Sequence, residues 1–309
     1  MAKVGWPVVK ADRGQHVPLP SDYFAVHGKQ HASYMHILIP TDLSSNALNA
    51  ALFALELYGA EGNTFTLLHC YAMPRHGESI LWNIDDLMRK NSEEDLSEFV
   101  TSLRAKLPGM RHRLEMKSER GYLPEVISVY KNRPNAPDLV VMGTQGATGI
   151  EHVLMGTNTA DVIKRGGMPV LAVPAQAVFK LPKHIILTDD SDPVDPATTR
   201  VLLDIVKSTG AMVIVLRMIN EDVHVGPEEP SVCSFEAVLS AVAHAHVYMD
   251  GEDLAGVLDD QIRRSDAEML AVVHRERGWV EGLFHRSAAA RLAMHTHVPM
   301  LVLQQPVLQ

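Results

Sequence analysis

The sequence predicts an α/β chain of two tandem domains, each a five-stranded parallel sheet with helices wound onto both faces. Three observations carry that expectation. A length of 309 residues is long for one core and suits two domains of about 150 residues each. Short apolar runs alternate with segments of helical period, the order that gives right-handed crossovers and a doubly wound sheet. The order of segments then begins again near residue 183, so the expected boundaries are an arm over 1–33, a first domain over 34–175 and a second over 183–305.

The elements follow in chain order. The first 33 residues hold Pro7, Pro18 and Pro20 among scattered charges and read as an extended arm without period. From His36 the run to Pro40 reads as a strand that ends in Thr41 and Asp42. A serine-started helix follows, with Leu48, Ala51, Leu52 and Leu55 on one face. Phe65 to Tyr71 is the second strand. Ser92, with Asp95 three residues on, has the spacing of a capping box, and Leu96, Phe99, Val100, Leu103 and Leu107 share the face of the helix it opens. Arg113 to Ser118 alternates like a half-buried strand, and Pro124 to Lys131 suits a short helix. Asp138 to Met142 is the continuous apolar strand of a sheet covered on both faces. A glycine-bearing loop, a helix near Thr157 to Arg165 and a strand from Pro169 to Pro174 complete the unit. In the second copy His184 to Asp189 echoes His36 to Asp42 with one residue fewer, aligning Thr188-Asp189 with Thr41-Asp42; Met212 to Met218 echoes Phe65 to Tyr71, and Met300 to Leu303 echoes Val170 to Val173. Phe179 to Pro182 reads as the linker.

Composition removes several function classes. With 46% apolar and 21% charged residues the chain is neither disordered nor fibrous. No apolar run reaches the roughly 20 residues that span a bilayer, and Met1 to Met35 has no signal core, so the expected setting is cytoplasmic, with no membrane partner. A net charge of −9 with no Lys/Arg-rich run leaves no surface for a nucleic-acid backbone. Cys70 and Cys233 sit in apolar stretches and read as small hydrophobes.

The informative stretch runs from Gly143 to Thr159. Two residues separate Gly143 from Gly146, and nine separate Gly146 from Gly156. Directly after a buried strand, such glycines let backbone N–H groups approach an anion. Gly156-Thr157 then opens a helix whose unpaired N–H groups and positive dipole end receive phosphate, with the Thr157 and Thr159 hydroxyls as added donors. Neither the lysine-bearing phosphate loop nor the dinucleotide glycine pattern is present.

This Gly143-x2-Gly146-x9-Gly156-Thr157 pattern resembles the nucleotide-binding signature of ATP-binding universal stress proteins, over Tyr34 to Ala175 and more weakly over Lys183 to Gln304. The resemblance implies a Rossmann-like, adenine nucleotide alpha hydrolase-like fold and a bound ATP, with Mg²⁺ held by its phosphates. It implies that Pro40, Thr41 and Asp42 line adenine and ribose and that Cys70 offers backbone groups to the base. It places Met142, Gly143, Thr144 and Gly146 at ribose and phosphates, and Gly156, Thr157, Asn158 and Thr159 at the terminal phosphates. Asn158 stands where the family has a small apolar residue, and Asp42 also suits a helix N-cap. In the family isolated domains pair through their last strands. That implies internal pairing of the two domains or a homodimer, alongside a protein partner not named by sequence.

In the second copy, aligning Thr157 with Ser287 puts Arg286, Glu276 and Val273 in place of Gly156, Gly146 and Gly143, so no triphosphate is expected there. No nucleophile–base pair stands out, and Glu151 and His152 are the nearest titratable groups to the loop, so at most slow ATP hydrolysis is expected. His244 with His246, and His295 with His297 if extended, share strand faces, but without an acidic or cysteine partner in sequence they read as polar surface positions, and no metal site is expected. The function carried forward is a nucleotide-dependent stress-response binding or signalling module; a slow ATPase and a ligand-free interaction scaffold are the alternatives.

Overall fold

A computed structural model of the protein describes residues 8–11, 34–72, 81–144, 156–219, 234–250, 254–275 and 298–305. The chain divides into two units: Tyr34–Phe179, and Lys180–Gln309 together with Met1–Ser33. The first strand, β1 (Val8–Ala11), therefore belongs to the second unit and is taken with it below.

The Tyr34–Phe179 unit runs β2 (His36–Thr41), α1 (Ser45–Tyr58), β3 (Thr64–Tyr71), α2 (Leu81–Lys106), β4 (Arg113–Arg120), α3 (Leu123–Lys131), β5 (Leu139–Gly143), α4 (Thr157–Arg165) and β6 (Val170–Val173). All its strand pairs are parallel, in the order β6-β5-β2-β3-β4. The apolar runs are explained by this order: β2 and β5 have neighbours on both sides and their Ile37, Leu38, Ile39, Val140 and Val141 are fully buried. Among the described residues β4 pairs with β3 alone, and its Arg113, Glu115, Lys117 and Glu119 are charged side chains that discourage further pairing at an edge.

Helix α1 begins where the Ser44 hydroxyl accepts from the Ala47 N–H at 3.2 Å, and it buries Ala50, Ala51, Phe53, Ala54 and Leu55. Asn49 on the same helix donates to the carbonyls of Pro174 and Ala177, which anchors the end of the unit to its start. Helix α2 corrects one expectation. It is already running at Leu81, so Ser92 lies in its interior and is not a cap. The Ser92 hydroxyl is buried against His69 of β3 rather than turned to its own backbone. The face formed by Leu96, Phe99, Val100 and Leu103 packs inward as its spacing requires.

The second unit runs β7 (His184–Asp189), a 3₁₀ turn (Pro196–Thr199), α5 (Arg200–Thr209), β8 (Met212–Ile219), α6 (Phe235–Leu239), β9 (His244–Asp250), α7 (Leu254–Ser265), β10 (Met269–His274) and β11 (Met300–Gln304). Its parallel order is β1-β9-β8-β7-β10-β11. The sheet thus has a sixth strand where five are expected. Val8–Ala11, read from sequence as periodless arm, pairs with His246–Met249. Four residues are too few to display a period, and the pairing is made by β9, not by local propensity.

The two sheets share a register. His36 pairs Thr64 and His184 pairs Met212; Ile37 pairs Leu139 and Ile185 pairs Met269. The same device repeats at the strand starts, where the Asp138 carboxylate accepts from the His36 N–H and the Glu268 carboxylate from the His184 N–H. The register makes Asp189 the counterpart of Thr41 and Asp190 the counterpart of Asp42, one position later than the motif echo suggests. It likewise matches Met212 with Thr64 rather than with Phe65. Among the described residues no helix is long and apolar enough to cross a membrane.

Candidate functional site

In the Tyr34–Phe179 unit the chain moves outward from β2 to β3 and β4, then returns to β5 on the other side of β2. Crossovers leave β2 and β5 in opposite directions, and the crevice outside their carboxyl ends is where open α/β sheets accept ligands. The β2–β5 pairing comprises Ile37↔Leu139 and Leu38↔Val140, and Pro40 beyond it has no N–H to donate. The two strand ends are therefore not laced together at this point.

Thr41, buried, and Asp42, exposed, stand at the end of β2. The Thr41 hydroxyl accepts from the Leu43 N–H at 2.9 Å and Asp42 Oδ1 from the Ser44 N–H at 3.1 Å. These bonds hold a tight turn in which Leu43 has φ of 66°. One Asp42 oxygen is thus committed to the turn that precedes α1, whose N-cap is Ser44 and not Asp42, while the carboxylate faces solvent. Cys70 lies one residue past the last β2–β3 pair, Thr41↔His69, so its β2-facing backbone edge lies beyond that ladder. Burial, with Glu119 nearby, pushes its thiol up to about 12.

Met142 and Gly143 end β5, and Thr144 follows with its N–H donated to the Val173 carbonyl at 2.9 Å. Gly156 returns to the same point, its N–H directed at the Thr144 carbonyl, and opens α4 without a side-chain cap. The exposed Thr157 and Asn158 form its first turn. Thr159 differs from expectation. The residue is 3% exposed and its hydroxyl donates to the Gly143 carbonyl at 2.8 Å, so its single proton clamps α4 to β5 and is not offered to an anion. Gly146, Gly149, Glu151 and His152 lie outside the described residues.

Sequence reasoning missed the polar cluster beneath this crevice. His69 Nδ1 lies 2.8 Å from Ser92 Oγ, and Ser92 in turn contacts Ser118 of β4. Burial lowers the His69 pKa, an effect partly opposed by Asp95 and Asp42. No motif marks these residues, because three separate elements bring them together.

The corresponding crevice of the second unit lies between the ends of β7 and β10, where arginines pair with the two aspartates Asp189 and Asp190. Arg217 of β8, in register with His69, donates to Asp189 Oδ2 at 2.9 Å through Nε. Arg275, just past β10, donates to both Asp190 oxygens at 2.9 and 3.0 Å and to the Pro193 carbonyl at 2.8 Å. Val273 stands in register with Gly143. Glu276, Arg286 and Ser287 lie outside the described residues.

The expectation of polar surface histidines is also corrected. His244 is fully buried and His246 is 7% exposed, and Glu236 supplies the acidic partner that the sequence did not reveal. The reason is local: α6 is a five-residue helix, too short for a period, and it folds Glu236 back onto the strand that follows. His295, His297 and Cys233 lie outside the described residues.

The model of the universal stress protein family matches residues 33–174. A universal stress protein of Methanocaldococcus jannaschii is 32% identical over 146 residues, which cover 45% of this chain and 82% of that protein. A universal stress protein structure from Archaeoglobus fulgidus aligns with a TM-score of 0.64 at 17% identity, covering 88% of this chain and 98% of the other. A structure from Pseudomonas aeruginosa described as a putative universal stress protein aligns with a TM-score of 0.54 at 13% identity, covering 89% and 94%. At those identities the two structures speak for the α/β fold alone, whereas the family match spans the segment that holds the β2–β5 crevice, and the archaeal relative is matched over most of its own length. The chain belongs to the universal stress protein family.

Proposed function

We propose that the Tyr34–Phe179 unit binds ATP, with Mg²⁺ held by the phosphates, and that the second unit is a diverged tandem copy that holds no triphosphate. The chain then acts as a one-nucleotide, stress-response binding module. Adenine and ribose would lie along Pro40, Thr41, Asp42 and the Cys70 backbone. The phosphates would approach Gly143, Thr144, Gly146 and the α4 start at Gly156, Thr157 and Asn158. The cytoplasm, where ATP and Mg²⁺ are at hand, is the setting this reading implies.

The observation that carries the proposal is the contrast between the two crevices. In the first, a glycine-ended strand faces a glycine-started, uncapped helix. In the second, Val273 replaces the strand-end glycine and two arginines already neutralise the aspartates at the end of β7. Calorimetric titration of the full chain with ATP and Mg²⁺ tests it. One site per chain is expected, abolished by Gly156→Val with the fold intact by circular dichroism. Two similar sites, no site, or undiminished binding by that variant would each overturn it.

A further inference from the structure

We propose that Glu236, His244 and His246 form a transition-metal site in the second unit, best matched to Zn²⁺. Strand alternation puts both histidines of β9 on one face, and α6 lays Glu236 across them. The Ser234 hydroxyl accepting from the Ala237 N–H at 3.2 Å starts α6 and so sets where Glu236 projects. One carboxylate oxygen, Oε2, lies 3.3 Å from His244 Nε2 and 3.0 Å from His246 Nε2. One ligand atom from each of the three residues lies within 4.8 Å of the others.

The hydrogen-bond chemistry points to a cation. His244 Nδ1 sits 2.9 Å from the Val242 carbonyl and Nε2 sits 3.3 Å from the Glu236 carboxylate, both of which can only accept, so with the ring proton on Nδ1 the space between Nε2 and the carboxylate suits a cation. A ring N–H held by a backbone carbonyl is the usual support of a metal-bound histidine. His246 Nε2 is buried without a hydrogen bond, because the carboxylate oxygen is close but not aligned with it. A buried nitrogen in that state calls for a partner. A tetrahedral ion with bonds of about 2.0 to 2.1 Å holds its ligands about 3.4 Å apart, within a few tenths of the two carboxylate–imidazole separations, 3.3 and 3.0 Å.

The ligand set selects the metal. Two imidazoles and one carboxylate suit Zn²⁺ and its first-row neighbours rather than Mg²⁺ or Ca²⁺. The Glu236 side chain is half exposed, which leaves a fourth, solvent-facing position for water.

Metal-free full-length protein titrated with Zn²⁺ against a chromophoric chelator tests the site, with Co²⁺ absorption reporting coordination geometry. One tight equivalent is expected, with tetrahedral Co²⁺ bands. Glu236→Gln should weaken Zn²⁺ affinity at least about tenfold, and His246→Gln should do the same. Because Glu236 is half exposed, its variant decides the matter should the histidine variant not fold. Absence of Zn²⁺ binding, or unchanged affinity in Glu236→Gln, overturns the proposal and leaves the cluster as a proton shared between carboxylate and imidazole.

Discussion

Thr159 joins β5 to α4 through one hydrogen bond, and its removal takes a donor from a half-buried carbonyl. Thr159→Val keeps the volume but leaves Gly143 O without that donor, which should cost about 1–3 kcal/mol in denaturant unfolding. An unchanged midpoint would mean that another donor replaces it. Cys70 makes the opposite point, a functional group kept silent. With the thiol near 12, roughly one molecule in 10⁵ is thiolate at neutral pH, so alkylation should be slow in the folded chain and rapid only after denaturation. Rapid labelling of the folded protein would contradict the burial that raises it. His69 carries a pH signature. Its folded pKa lies below the unfolded value near 6.5, so the unfolded chain takes up a proton first on acidification. Stability from this group is intact above about pH 6.5 and falls as the pH drops from there toward the folded pKa. His69→Gln should flatten that acid-side loss without abolishing it, because His246 is shifted in the same direction.

Arg275 and Asp190 close the end of β10 against the end of β7, with side chains 11% and 6% exposed. Arg275→Met would strand the buried carboxylate and should cost about 3–5 kcal/mol, while the Arg275→Met/Asp190→Asn pair should recover part of it. If the double variant is no more stable than the single one, the two groups do not act as a pair. These elements also show what could be read in advance. The buried strands were legible because parallel strands covered on both faces are continuous apolar runs, as in Leu139 to Met142. The start of α2 was not, because Ser92-x-x-Asp95 has cap spacing while the Ser92 hydroxyl is claimed by His69 across the sheet. The alignment of Thr188-Asp189 with Thr41-Asp42 slipped by one residue because side-chain identity was matched, whereas the ladder register, visible only once β7 pairs β8, sets equivalence. Arg217 and Arg275 had no motif to announce them, since both act on carboxylates far away in sequence.

The proposed single nucleotide per chain would have a spatial signature as well as a stoichiometric one. Hydrogen exchange with and without ATP should show added protection in the ends of β2 and β5 and the first turn of α4, and none at the ends of β7 and β10. Protection in both units would mean that the second crevice also binds. At this scale the repeated order of elements was legible and the ownership of Val8–Ala11 was not, because a four-residue strand has no pattern apart from its partner. That ownership makes the second domain discontinuous along the chain, with the whole Tyr34–Phe179 unit inserted after its first strand. During synthesis β1 leaves the ribosome before the rest of its sheet, and His246, its partner, follows more than 230 residues later. At about 5–20 residues per second, β1 waits roughly 10–50 s for its place. The inserted unit can fold in that interval, and the second domain finishes only when the two distant parts of the chain meet. A chain shortened to begin at Tyr34 should keep the first unit's ATP response yet expose the β9 edge, so self-association by light scattering should rise.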